Sequence, residues 1–118
     1  MEKIVRQALL FDFYGELLTE HQKKVYYDVI SEDISYSEIA EEYNISRQGV
    51  FDLVRRCDKI LLDYEEKLHL IEKFSKAKES IREIGEITAA LKDKNSDPEL
   101  TEMIDRVDRR LEEIIEDF

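Results

Sequence analysis

Proline, glycine and cysteine are nearly missing from this chain. In 118 residues there is one proline (Pro98), one cysteine (Cys57), three isolated glycines and no tryptophan. Without helix breakers, and with 40% of its residues charged, the chain reads as almost entirely helical. A single cysteine excludes an internal disulfide and suits a reducing cytoplasm. No apolar run approaches the ~20 residues of a membrane span. Glu2 and the interrupted apolar stretch after it argue against a signal peptide. Isolated glycines exclude a phosphate-cradling loop. Neither His21 nor His69 has a partner at metal-ligand spacing, and no nucleophile–base arrangement can be assembled. The expectation is therefore a protein that is not an enzyme and holds no cofactor or metal.

Positive charge is also scarce. The net charge is −11. Residues 1–67 carry 9 Lys and Arg against 15 Asp and Glu, and residues 68–118 carry 9 against 14, so both halves are acidic. This argues against tight non-specific binding to a polyanion, which needs clustered Lys and Arg. A single basic face remains compatible with the composition.

What is present is periodicity. Ile4, Ala8, Leu9 and Phe11 recur at helical spacing, which predicts a first helix over about Lys3 to Tyr14 with Gly15 as its stop. Of the residues at its end, Leu10, Phe11 and Tyr14 are expected in the core. Thr19-x-x-Gln22 forms a capping box for a second helix, whose buried stripe is Val25, Tyr26, Val29 and Ile30. Ser31-Glu32-Asp33 breaks that pattern.

The stretch Tyr36 to Arg56, YSEIAEEYNISRQGVFDLVRR, has the spacing of a helix-turn-helix. Ile39, Ala40, Tyr43, Ile45, Val50 and Leu53 fall where two steeply crossing helices need apolar or small side chains. Ala40 marks the closest approach. Asn44 sits at the turn, where a left-handed backbone favours Gly and then Asn. Ser35 and Ser46 are placed as N-caps, Ser35 with Glu38 in a second capping box.

The second helix of the motif has no evident stop. Apolar residues continue at spacings of three and four from Val50 through Tyr64 to Leu91; a bend or break near Leu68–Leu70 stays open, although neither Gly nor Pro marks it. Gly85 lies inside this run, at about 1 kcal/mol of helix propensity, and suggests the close approach of another helix. KDKNSDP (Lys92 to Pro98) is clear punctuation, with Asp97 as cap and Pro98 in the first turn. Beyond it Leu100, Ile104, Val107, Leu111, Ile114 and Phe118 make a seven-residue repeat. So short a stripe needs a partner, either the preceding helix folded back or another subunit.

The fold expected is all-α: a helix-turn-helix domain over residues 1–67, then a helical extension over residues 68–118. The extension is too small to bury its stripe alone, so a homodimer joined through it is expected. Such a dimer would carry two helix-turn-helix units, as many DNA-binding proteins do.

Ser46, Arg47, Gln48, Phe51, Asp52 and Arg55 would be exposed at the start of the second motif helix. Arg pairs bidentately with guanine and Gln with adenine, while Arg56 and Lys59 are placed to reach phosphates. The candidate nucleic-acid-binding residues are thus Ser46, Arg47, Gln48, Phe51, Arg55, Arg56 and Lys59, reading DNA or RNA. Against them stand Asp52 and Asp58 on the same helix and Glu38, Glu41 and Glu42 on the one before. The plainer alternative has Arg47 and Arg55 in ion pairs with neighbours such as Asp52. Cys57 is expected as a small core residue.

The run LLFDFYGELLTEHQKKVYYDVISEDISYSEIAEEYNISRQGVFDLVRRCDKILLDYEEKL resembles the YlxM family of small bacterial helix-turn-helix proteins, also called the signal-recognition-particle-associated p13 type. LFDFYGELLT, SEIAEE-N-SRQ-V and D-----LL--YE-KL carry the match, which covers Leu9 to Leu70. The motif is also similar to region 4 of sigma factors, which binds promoter DNA. The resemblance implies a cytoplasmic bacterial protein with a regulatory role in signal-recognition-particle targeting, a role inferred for the family from gene neighbourhood. It implies no catalytic residues. The partners it implies are nucleic acid or the targeting GTPase, the latter through an adaptor role in which the helix-turn-helix is only a scaffold. Gly49 departs from the more usual Ala and weakens its helix locally. Asn44 departs from the common Gly. Residues 71–118 lie beyond the matched segment.

Overall fold

The computed structural model describes residues 2–31 and 34–118, and Glu32 and Asp33 of the expected break lie outside the described residues. The described chain is all-α, with no strand, in six helices: α1 (Lys3–Tyr14), α2 (Glu20–Ile30), α3 (Tyr36–Glu42), α4 (Arg47–Leu68), α5 (Leu70–Lys94) and α6 (Pro98–Glu116). It divides into two compact units, Met1–Ile71 and Glu72–Phe118.

In the first unit α4 packs against α1, α2 and α3. Val50, Val54, Cys57 and Leu61 recur every three or four residues along α4 and are buried. They meet Leu10 and Tyr14 of α1, Val25 and Tyr26 of α2, and Ile39 and Ala40 of α3 in one core. Burying an aliphatic or aromatic side chain of this size contributes about 1.5–3 kcal/mol, so α4 is the element around which the unit condenses. Phe11 packs at the core's edge, stacked on Tyr26 at 5.8 Å.

Local capping fixes most helix starts. Thr19 and Gln22 form the full capping box of α2, and the hydroxyls of Ser35 and Ser46 accept from the N–H groups of Glu38 and Gly49. Gly15 ends α1 as expected, without taking up the left-handed conformation common at that position. Its backbone is right-handed (φ −57°), and the chain runs on through a single 3-10 turn, Gly15–Leu17. Glycine is required there for space, since a Cβ would lie 2.9 Å from the Phe11 ring.

Between α3 and α4 the turn is a Schellman motif. Ile45 N–H donates to the Ala40 carbonyl, and Asn44 N–H to the Glu41 carbonyl. This needs a left-handed residue after the helix, and Asn44 supplies it at φ 55°. Asn44→Gly is expected to stabilise the unit by about 0.5 kcal/mol and Asn44→Val to destabilise it by about 1–2 kcal/mol. Urea unfolding of both variants checks the ordering.

Helix α4 does stop, at Leu68. His69 is left-handed (φ 55°). The following N–H groups are taken by side chains: Leu70 donates to the Tyr14 hydroxyl at 3.2 Å and Ile71 to a Glu65 carboxylate oxygen at 2.9 Å. Tyr14 in turn donates to the same Glu65 oxygen at 2.5 Å. Glu65 is an anion at the N-terminus of α5, where the helix dipole favours negative charge.

In the second unit α5 and α6 run antiparallel. Thr88 donates to Asp108 at 2.6 Å, Lys92 pairs with Asp105, and the Phe74 and Phe118 rings meet at 5.1 Å. Asp97 caps α6 by accepting from Glu99 N–H, with Pro98 in the first turn. The preceding helix thus folds back on the heptad stripe but covers only part of it. Ile104 is 6% exposed, whereas Leu100, Val107, Ile114 and Phe118 keep 42–55%. Gly85 does not mark a close helix approach, because nothing lies within 4 Å of where its Cβ would be.

Candidate nucleic-acid interface

The first turns of α4 are held from three directions: the Ser46 cap, the Schellman turn, and the burial of Val50 and Val54. What faces away from that core is fixed by helical spacing. Arg47, Gln48, Phe51, Arg55, Arg56 and Lys59 are exposed. Asp52, Arg55, Arg56 and Lys59 line one shallow depression on this face. The structure therefore brings the candidate residues together on one helix surface.

Their partners decide what they are free to do. Among the described residues no ion pair takes Arg47, Arg55, Arg56 or Lys59. The pairing of Arg47 or Arg55 with Asp52, the plainer alternative, is absent there; Asp52 accepts instead from the Gln48 amide at 3.0 Å. Gln48 therefore begins with one of its two amide N–H donors engaged by Asp52 and the other free. Ser46 accepts from Gly49 N–H at 2.9 Å and keeps its own hydroxyl proton to donate. A Cβ on residue 49 would sit 3.1 Å from that Ser46 oxygen, so glycine leaves the cap uncrowded while lowering helix propensity. Phe51 is 51% exposed and rests edge-on against Tyr36 at 5.4 Å.

Asp58, counted above as an opposing charge, does not face outward. It accepts from the Tyr26 hydroxyl at 2.6 Å and from the Gln7 amide at 3.0 Å. Tyr26 is fully buried and Gln7 nearly so. Burial first, and then the Asp58 bond, push the Tyr26 phenol far above its ordinary range. Asp28 is likewise occupied, accepting from the Tyr43 hydroxyl at 2.6 Å; that bond first, and then desolvation, raise the Tyr43 phenol to about 12. Glu38, Glu41 and Glu42 remain exposed on α3. Asp58 and Asp28 are thus engaged by tyrosine hydroxyls, while Glu38, Glu41 and Glu42 stay exposed on α3 and Asp52 stays on the basic face of α4.

The remaining singled-out residues are structural. Cys57 is fully buried, and burial pushes its thiol up to about 11. His21 lies edge-on to Tyr43 at 6.0 Å. The Gln7–Asp58–Tyr26 and Tyr14–Glu65–Leu70 networks were not anticipated. The bonds Gln7–Asp58, Tyr26–Asp58, Tyr14–Glu65 and Tyr14–Leu70 each span 32 to 56 residues, so no local spacing could have announced them.

Residues 1–116 match the family described as "Putative helix-turn-helix protein, YlxM / p13 like". The YlxM protein of Bacillus subtilis (strain 168) is 40% identical over 108 residues, 92% of this chain and 98% of that protein. A protein of the same family from Acetivibrio thermocellus is 40% identical over 116 residues, 98% of this chain and 99% of its own length. One from Halalkalibacterium halodurans is 44% identical over 86 residues, 73% of this chain and 79% of its own length. The likeness reaches well past Leu70, so α5 and α6 belong to the shared family pattern and not to an unmatched extension.

Proposed function

The chain belongs to the YlxM / p13-like family of helix-turn-helix proteins, and from that membership and the surface of α4 we propose that it is a cytoplasmic regulatory protein that binds nucleic acid through the second helix of the motif. One observation carries the reading. In a chain of net charge −11, four cationic side chains gather on the exposed side of α4 with no ion-pair partner among the described residues, while Asp58 is turned into the fold. An exposed surface salt bridge is worth little, so chance pairing would cost the protein nothing, yet these heads stay free for an anionic ligand.

In this reading Arg47, Gln48 and Arg55 contact base edges. Arg56, Lys59 and the Ser46 hydroxyl hold phosphates, and Phe51 offers an apolar contact such as a thymine methyl takes. In the same reading the target lies in or beside the signal-recognition-particle pathway, the role that the family resemblance implies.

Fluorescence anisotropy tests the proposal, with labelled duplex DNA from the protein's own upstream region and with signal-recognition-particle RNA, each at two salt concentrations. Binding to one ligand should weaken steeply with salt. Arg47→Glu/Arg55→Glu should reduce affinity by about a hundredfold or more while leaving the unfolding transition unchanged. Binding that survives both reversals would show that another surface is used. No binding to either ligand at low salt would leave the adaptor role, in which the acidic α3 face meets a basic partner such as the targeting GTPase.

A further inference from the structure

The α5–α6 hairpin has one apolar side and one charged side. Along each helix residues advance about 100°. On α5 the line facing α6 runs through Ile81, Thr88 and Lys92; on α6 it runs through Ile104, Asp108 and Leu111. Ile84, Ile87 and Leu91 sit about a quarter turn from the first line. Met103, Val107 and Ile114 sit about a quarter turn from the second, in the same rotational sense. Because the helices are antiparallel, equal rotations of one sense bring both sets to the same side of the hairpin. Ile87 is 60% exposed, Met103 55%, Leu91 49% and Ile114 47%. The opposite flank carries Arg82, Glu86 and Asp93 of α5 and Asp105, Glu112 and Glu116 of α6. A contiguous apolar face rimmed by charge marks an interaction surface.

The rim says what fits it. Along the outer edge of α5 lie Lys94, Glu83 and Lys76, at steps of 11 and 7 residues. Along the outer edge of α6 lie Glu99, Arg110 and Asp117, at the same steps of 11 and 7 but with every sign reversed. A second hairpin related by a two-fold axis parallel to the helices places its α5 antiparallel under α6. That brings Lys94 to Glu99, Glu83 to Arg110 and Lys76 to Asp117 in a single register. The register fixed within one chain by Thr88–Asp108 and Lys92–Asp105 differs from it by three to four residues, about 5 Å along the axis, a distance that long Lys, Arg and Glu side chains span. The same superposition lays Val107 over Ile87 and Met103 over Leu91. Lys76 and Arg110 now hold Glu72 and Glu113 on their own helices, exposed pairs that exchange at little cost.

We propose that this face binds a second copy of the chain, forming a two-fold four-helix bundle in which α6 of each copy lies antiparallel over α5 of the other. The contact is self-complementary, as a two-fold interface requires. It is independent of what α4 binds.

Sedimentation equilibrium of the full chain at micromolar concentration tests it. The wild type should be a dimer. Val107→Glu, which buries a charge in the seam, should give a monomer with undiminished helical circular dichroism. Glu83→Arg alone should weaken the dimer about tenfold, and Glu83→Arg/Arg110→Glu should bring it back to within about threefold of wild type. If Val107→Glu loses helicity, Ile87→Ser replaces it, a change at a site too exposed to threaten the fold. A wild-type monomer overturns the proposal and leaves the face to a different protein. A dimer that withstands both apolar substitutions overturns it too, and failure of the double reversal to recover association overturns the register.

Discussion

Tyr14→Ala should abolish the cooperative unfolding transition of the first unit. Tyr14 is 1% exposed, its ring stacks on Tyr64 at 6.0 Å, and its hydroxyl bridges Glu65 and the Leu70 N–H. Truncating a buried aromatic ring costs about 3–5 kcal/mol, and a unit of this size has only about 5 kcal/mol in total. Tyr14→Phe separates the two contributions. It keeps the ring, loses the hydroxyl, and leaves the Leu70 N–H without its acceptor, for about 1–2 kcal/mol. Urea unfolding followed by circular dichroism measures both. Hydrogen exchange at Leu70 and Ile71 should speed up in Tyr14→Phe before the rest of the unit is affected. Equal stability of Tyr14→Ala and wild type would mean that the packing around α4 does not depend on this ring.

Asp58→Ala should cost about 2–5 kcal/mol, because two buried donors lose their acceptor at once. The Tyr26 hydroxyl and the Gln7 amide both end on this carboxylate. Adding Tyr26→Phe to Asp58→Ala should cost less than the sum of the two single changes, since the donor that would be stranded is then gone. A strictly additive double variant would rule out the network. The pair also bears on function. As a residue turned into the fold, Asp58 should be replaceable in a sufficiently stable background without altering the salt dependence of the proposed nucleic-acid binding. Arg55 and Lys59, three residues before it and one after, should not be.

Both predictions concern contacts that sequence reading did not supply. Local signals were legible where the chemistry is local. The Thr19–Gln22 box, the Ser35 and Ser46 caps, the Asn44 turn and the Asp97-Pro98 start each lie within a few residues of the backbone groups they satisfy. The end of α4 was not legible, because its stop is tertiary. His69 can turn left-handed there because the N–H groups that follow are met by Glu65 and by Tyr14, the latter 56 residues earlier. Gly85 was misjudged for a related reason, whereas Gly15 does end α1. A glycine's use depends on what would touch its Cβ: the Phe11 ring at Gly15 and nothing at Gly85.

The sequence by itself determined the all-α class, the helix-turn-helix and the identity of the basic side chains on α4, because helical periodicity and capping act over one or two turns. Tertiary structure alone decided which charges are available. It drew Asp58 and Asp28 inward to meet the Tyr26 and Tyr43 hydroxyls, and left Arg47, Arg55, Arg56 and Lys59 without an ion pair among the described residues. In the second unit, folding α5 back on α6 buried one edge of the heptad stripe and left the other exposed. Long-range hydrogen bonds set by packing make such choices, and no spacing within a single helix records them.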